Sequence, residues 1–136
     1  MQAFLILLLF VVLVWDPAWQ LAGVKPILPA RLKRMLAAKE DPPVLVDVRT
    51  PFEYEKFHIN EAVLHPNALR NPEAFEMDDR ERPIVVVCLS GHRSAIAAYR
   101  LKKRGFKPVY YLAWGMLAWL LGGGQIVKGR DANMKV

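Results

Sequence analysis

The chain has 136 residues, 54% hydrophobic and 24% charged, enough for one domain with its own core and too few for two. Lys+Arg 19 against Asp+Glu 13 give a formal charge of +6, which points to small oxyanions, a phospholipid surface or nucleic acid without choosing among them. A single cysteine excludes an intramolecular disulfide, and one Cys with three scattered His offers no zinc-ligand set such as paired C-x-x-C motifs, so no metal site is expected.

Met1 to Trp15 has Gln2 as its only polar side chain. A bilayer core takes about 20 apolar residues, so residues 1–22 are read as a membrane anchor, with Asp16 and Pro17 near one interface and Trp15 and Trp19 as interface residues. No Lys or Arg precedes the run and no A-x-A-like cleavage site follows it, which favours a retained anchor over a cleaved signal peptide, and both over a buried core helix. Lys25, Arg31, Lys33 and Arg34 follow the run closely, so the positive-inside rule places the next domain in the cytoplasm, where a lone reduced thiol is at home.

Residues 23–27 read as a linker and the main domain as 28–127. After Pro29, the spacing of Leu32, Met35 and Leu36 predicts an amphipathic helix to about Lys39, ended by Asp41-Pro42-Pro43. Residues 44–48 form a compact apolar run of strand length, followed by a helix over 51–57, a short strand over 62–64, and a loop or helix over 67–79. Residues 84–88, IVVVC, are the purest strand. Ile96, Ala97 and Leu101 give the segment 94–104 a helical apolar face that Gly105 stops, and Lys102, Lys103 and Arg104 read as a solvated, dipole-matched end. A strand over 109–112 and a helix over 116–121 follow, then Gly122-Gly123-Gly124 as a flexible break before a basic tail, 128–136. Helices alternating with short hydrophobic strands imply an α/β domain with a parallel sheet covered on both faces.

Ligands on such sheets collect at the carboxyl ends of strands, and Cys88 stands at one. A lone Cys after a Val run is ordinarily a buried strand-end residue. Gly91, Arg93 and Ser94 at their offsets reverse that expectation: Leu89, Ser90, Gly91, His92 and Arg93 form a loop short enough to curl around the sulfur. Its N–H groups, the start of the next helix and the Arg93 charge would then stabilise a thiolate and an anion bound against it. Ser94 is expected as the helix N-cap, and His92 at the rim. His58 and His65 are read as structural.

The run VCLSGHRS resembles the Cys-x-x-Gly-x-Arg-Ser loop of the rhodanese-like sulfurtransferases, and the resemblance extends through VLVDVRTPFEYEKFHINEAVLHP, PIVVVCLSGHRSAIAAYRLKKRGF and VYYLAWGMLAW. It implies a five-stranded parallel sheet flanked by helices, here preceded by one N-terminal transmembrane helix, with Cys88 carrying sulfur as a persulfide. It also implies a small sulfur-containing anion as donor, a thiol acceptor that includes a protein thiol, and no cofactor. Leu89, Ser90, Gly91, His92, Arg93 and Ser94 become the substrate-binding loop. Asp47, Arg49 and Glu53 become its support, a cation flanked by carboxylates that brace the loop from below. Family habit adds the inner membrane of a bacterium. Two departures stand out: FHINEA carries Phe57 and Glu61 where the family has glycines, implying an altered turn, and Trp114 replaces the first of two glycines, implying narrower access to Cys88.

Dual-specificity phosphatases of the same fold place five residues between Cys and Arg. Here Leu89, Ser90, Gly91 and His92 make four, a smaller cradle without an acid for an alcohol leaving group. A membrane-tethered docking or sulfur-sensing module without catalysis is the other alternative, disfavoured by an intact Cys88 loop. The four Trp form no stacking series for nucleic acid.

Overall fold

A computed structural model describes residues 1–131, 133 and 134; positions 132, 135 and 136 of the expected basic tail lie outside the described residues. Helix α1 (Gln2–Leu21) is followed by β1 (Lys25–Ile27), α2 (Pro29–Ala37), β2 (Val44–Asp47), α3 (Pro51–Lys56), β3 (Ala62–Leu64), α4 (Asn67–Arg70), a 3-10 turn (Pro72–Ala74), β4 (Ile84–Val87), α5 (His92–Lys103), β5 (Val109–Leu112) and α6 (Gly115–Leu121). The strands make one parallel sheet in the order β1-β5-β4-β2-β3. This is the α/β architecture that the alternation of helices and strands implies, with β4 at the centre.

Every residue of β4 is buried, because the strand is covered on both faces. Ile84, Val86 and Cys88 pack with Ala95, Ala97, Ala98 and Leu101 of α5 and with Ala68 of α4 on one side. Val85 and Val87 pack with Leu32 of α2, Tyr54 of α3 and Met116 and Trp119 of α6 on the other. Alternation along a strand sends neighbouring side chains to opposite faces, so an unbroken Val run suits a doubly covered parallel strand.

Several expectations are corrected. Residues 23–27 are not a linker: Val24 is fully buried and β1 extends the sheet beside β5. Pro26 hides this strand from a sequence reading, yet proline is tolerated at a sheet edge. Helix α5 begins at His92, with Gly91 as N-cap, so Ser94 lies inside its first turn and is not the cap. Of the three basic residues at its end, two are tied down: Lys102 Nζ donates to the Ala22 carbonyl at 3.0 Å, and Arg104 donates to the Pro72 and Phe75 carbonyls. Phe57 is fully extended (φ −169°) and Glu61 has no positive φ, so the FHINEA turn needs no glycine at either place.

The glycines at 122–124 close a turn, with Gly124 N–H on the Trp119 carbonyl at 2.8 Å, and return the chain to the domain. His58 and Val127 exchange backbone hydrogen bonds, and Leu64 N–H of edge strand β3 donates to the Asn133 carbonyl at 2.9 Å. The described part of the tail is thus a clasp over an edge that would otherwise expose unpaired backbone. The buried His58 ring stacks on Tyr54. Its Nδ1 lies 2.7 Å from the Tyr54 carbonyl and its Nε2 lies 2.8 Å from the Asp131 carboxylate.

Helix α1 is long and apolar enough to cross a membrane, and its first turns project with no buried residue. Its last turns behave differently. Trp15 and Trp19, expected at a lipid interface, pack against the core on the α5 side, and Asp16 accepts a hydrogen bond from the Tyr111 hydroxyl of β5. That burial and hydrogen bond hold the Tyr111 phenol well above its ordinary range.

The tail clasp gives a direct expectation. Asp131→Ala leaves His58 Nε2 without its acceptor and should lower the unfolding free energy by about 1–3 kcal/mol, read as a shift of the denaturant midpoint of the detergent-solubilised chain. An unchanged midpoint would show that the clasp contributes nothing.

Candidate active site

Cys88 directly follows the central strand, where the backbone leaves β4 and turns through Leu89 to Gly91 into α5. The turn demands Gly91, which adopts φ +88°; a Cβ there would lie 2.7 Å from the Trp114 nitrogen. Leu89 turns inward and packs on the α2–α3–α6 side of the core. The Ser90 hydroxyl lies 2.9 Å from His92 Nδ1, which fixes the outer rim of the loop. Gly91 N–H donates to Cys88 Sγ at 3.1 Å.

Ser94 is fully buried, and its Oγ lies 3.4 Å from Cys88 Sγ. This contact replaces the expected capping role, since one helical turn brings position 94 back over the sulfur. With a thiol, sulfur donates to the hydroxyl; with a thiolate, the hydroxyl can rotate and donate to sulfur. Gly91 N–H, the Ser94 hydroxyl and the α5 N-terminus therefore converge on one atom.

The loop is pinned from its other side by a residue the sequence reading did not single out. Gly115 (φ +56°) approaches so closely that a Cβ would lie 2.3 Å from the Cys88 oxygen and 2.6 Å from the Leu89 oxygen. This approach lets Met116 N–H donate to the Cys88 carbonyl at 2.9 Å and Leu117 N–H to the Leu89 carbonyl at 3.1 Å. Its only sequence signal is its place as the second glycine of the pair in the final family block. Trp114 occupies the first, with φ 59° and ψ 11°, a left-handed conformation that glycine adopts freely and a side chain adopts at a cost.

The supporting charges divide differently from the expectation that both carboxylates flank Arg49. Asp47 and Arg49 pair with each other, both 1% exposed: Arg49 Nε and its terminal nitrogen donate to the carboxylate at 2.8–3.1 Å, and the same terminal nitrogen donates to the Phe57 carbonyl. Glu53 faces away from Arg49. It closes a capping box with Thr50 at the start of α3 and takes two hydrogen bonds from Arg93, at 3.0 and 2.7 Å. The T-x-x-E pattern makes that box legible in sequence; the Arg93 partner is not. The Arg93 hydrogen bonds outweigh burial and, with those from Thr50, pull the Glu53 carboxyl from 4.5 to about 2. Arg93 is raised in turn, chiefly by Glu53. His65 N–H donates to the Asp47 carbonyl at 2.8 Å, and its ring meets the edge of Phe75.

Over the sulfur the site is closed. Cys88 is fully buried, and the crevice outside the loop, lined by Trp15, Asp16, Ser90, Gly91, His92 and Trp114, has no room for a water molecule. Trp15 and Asp16 were not among the expected site residues, because they come from the apolar helix. A larger open groove of about 930 Å³ runs between α2, the 60–61 turn and residues 123–127; it touches no part of the Cys88 loop.

Two outcomes are expected. Trp114→Gly should keep or raise the thermal midpoint, because relief of about 1–2 kcal/mol of left-handed strain offsets the lost contact with His92; a drop of several degrees by calorimetry would show that the ring contact dominates. Glu53 has its folded value below its unfolded one, so the pair's stabilisation is complete above pH 4.5 and fades as pH falls toward about 2. Melting temperatures across that window should fall less steeply for Glu53→Gln than for wild type, and equal slopes would remove the pair from the acid response.

Residues 28–121 match the Rhodanese-like domain family. The chain is 36% identical over 105 residues to the probable adenylyltransferase/sulfurtransferase MoeZ of Mycobacterium tuberculosis, covering 76% of this chain and 26% of that one. It is 40% identical over 76 residues to the thiosulfate sulfurtransferase GlpE of Coxiella burnetii, covering 56% and 70%. Among solved structures, a thiosulfate sulfurtransferase from Pseudomonas aeruginosa superposes with a TM-score of 0.68 at 26% identity, over 80% of this chain and 21% of the other. The chain thus spans about a quarter of the MoeZ length and a fifth of the Pseudomonas protein. With the cysteine loop, the parallel sheet and the match across 28–121 in agreement, the chain belongs to the rhodanese-like domain family.

Proposed function

We propose that the chain moves sulfane sulfur from a thiosulfate-like anion to a thiol or cyanide through a persulfide on Cys88. The observation that carries this is the convergence of Gly91 N–H, the Ser94 hydroxyl and the start of α5 on Cys88 Sγ, which gathers hydrogen-bond donors around one nucleophilic atom. In the first step the thiolate attacks the outer sulfur of thiosulfate: a Cys88 S–S bond forms, the donor's S–S bond breaks, and sulfite leaves with the bonding pair. In the second, an acceptor thiolate or cyanide attacks the terminal persulfide sulfur, forming a new bond to it, and the Cys88 thiolate leaves. Neither step needs a metal, a cofactor or an external oxidant.

Cys88 is the catalytic residue of this scheme, and Leu89, Ser90, Gly91, His92, Arg93 and Ser94 are the substrate-binding loop. Arg93 uses two donors on Glu53 and keeps the remainder of its five for the sulfonate oxygens and departing sulfite. Asp47, Arg49 and Glu53 are positioning residues, holding the ground beneath the loop and aiming Arg93.

The proposed setting is a bacterial inner membrane, with α1 retained as a single anchor and the Cys88 domain in the cytoplasm. Retention is supported by the packing of Trp15 and Trp19 and by the Asp16 hydrogen bond to Tyr111, contacts that cleavage after Ala22 would delete. They leave residues 2–14 free for lipid, about 20 Å at about 1.5 Å per residue, so the span thins the bilayer locally. Orientation follows from the basic residues after α1.

Intact mass measurement of the full chain after incubation with thiosulfate should show the addition of one sulfur, lost on adding cyanide. Cys88→Ser, nearly isosteric, should remain folded and take up none. A wild type that never gains sulfur would overturn the assignment, as would a variant that transfers sulfur near the wild-type rate; hydrolysis of an aryl phosphate faster than sulfur transfer would favour the phosphatase alternative.

A further inference from the structure

The mouth of the Cys88 site is built partly by a residue outside the matched domain. We infer that Trp15 of α1 is a specificity-determining residue of this site, closing its mouth so that Cys88 reacts with compact reagents and excludes bulky ones. The Trp15 ring is tilted against His92, with centroids 4.8 Å apart, and Trp114 meets His92 edge-on at 6.1 Å. The imidazole, itself on the loop that carries the sulfur, thus contacts two indoles, and the crevice they line with Ser90 and Gly91 is too small for water.

Three contacts seat the end of α1 in that position. Asp16 accepts from the Tyr111 hydroxyl, Trp19 packs on Tyr99 of α5 at 5.7 Å, and the Ala22 carbonyl accepts from Lys102. These partners belong to β5 and α5, the elements that flank the catalytic strand, so the seat and the site share one rigid frame. Trp15 itself is less completely satisfied. Its indole N–H is buried and has no hydrogen-bond partner among the described residues, which makes the closed position less favourable than full pairing would. The same orphan donor, in a residue that lines the crevice, can be taken up by an oxygen of an entering oxyanion. Any reagent therefore has to shift the Trp15 ring from His92, a compact anion by less than a bulky acceptor, and only the anion gains a hydrogen bond in return.

The inference draws its substrates from the sulfur-transfer proposal, but its test does not depend on that chemistry, because Cys88 is the only thiol. The full-length chain in detergent is alkylated with iodoacetamide and, separately, with fluorescein maleimide, and the rates at Cys88 are compared. Trp15→Ala should accelerate the bulky reagent about tenfold and iodoacetamide far less, with Trp15→Phe between Ala and wild type. The ratio of bulky to small rates unchanged in folded Trp15→Ala overturns the inference. Should that variant fail to fold, Tyr111→Phe decides: it removes only the hydrogen bond to Asp16 and should raise the bulky rate preferentially, and an unchanged ratio there overturns the inference as well. A changed ratio in a protein that never accepts sulfur from thiosulfate leaves the Trp15 gate standing and removes the transfer reading; sulfur uptake with an unchanged ratio does the reverse.

Discussion

Everything about the site depends on two backbone segments touching without side chains between them. Residues 88–91 and 114–117 come so close that Gly115 has no space for a Cβ against the Cys88 and Leu89 carbonyls, nor Gly91 against Trp114. In return, those carbonyls are satisfied by the first free N–H groups of α6, groups that a helix start leaves without intrahelical partners. Buried backbone carbonyls left unpaired would cost about 1–3 kcal/mol each, so the contact both closes the loop and satisfies it. With the carbonyls directed toward α6, Gly91 N–H is left to face the sulfur.

Below the loop, two ion pairs have different physical characters. Asp47–Arg49 is buried, short and saturated with hydrogen bonds, including one to the Phe57 carbonyl. Breaking such a pair strands a charge in the interior, which makes it a rigid brace rather than a tunable group. Glu53–Arg93 is open to solvent, with side-chain exposures of 26% and 37%, and is screened accordingly. Its importance is geometric: it ties α3 to the first turn of α5 and directs a guanidinium that still has donors to offer.

The apolar helix is joined to the domain by specific contacts rather than by a flexible tether. The Trp15, Asp16 and Trp19 side chains meet His92, Tyr111 and Tyr99, and β1 continues directly from the helix into the sheet. A helix fixed this way keeps a set orientation with respect to the Cys88 loop. It also gives Asp16 a hydrogen-bond partner at the place where a carboxylate in an apolar helix is otherwise costly.

The sequence by itself determined the features that arise within a few residues of each other. The Val run set a doubly covered strand, the alternation of helices and strands set a parallel sheet, the Cys-x-x-Gly-x-Arg-Ser spacing marked a tight loop between strand and helix, and T-x-x-E marked the start of α3. Backbone geometry and periodicity are local, so these signals survive without knowledge of the fold. Only the tertiary structure decided which distant groups meet: Arg93 with Glu53 and not Arg49 with both carboxylates, Ser94 with the sulfur and not with its own helix end, Gly115 with the Cys88 carbonyl, Asp131 with His58, and Trp15 with the mouth of the site. Each of those contacts joins residues on different elements or across a helical turn. Whether they form depends on how close the packed elements come, a distance fixed by side-chain volume and backbone approach that no single stretch of sequence encodes.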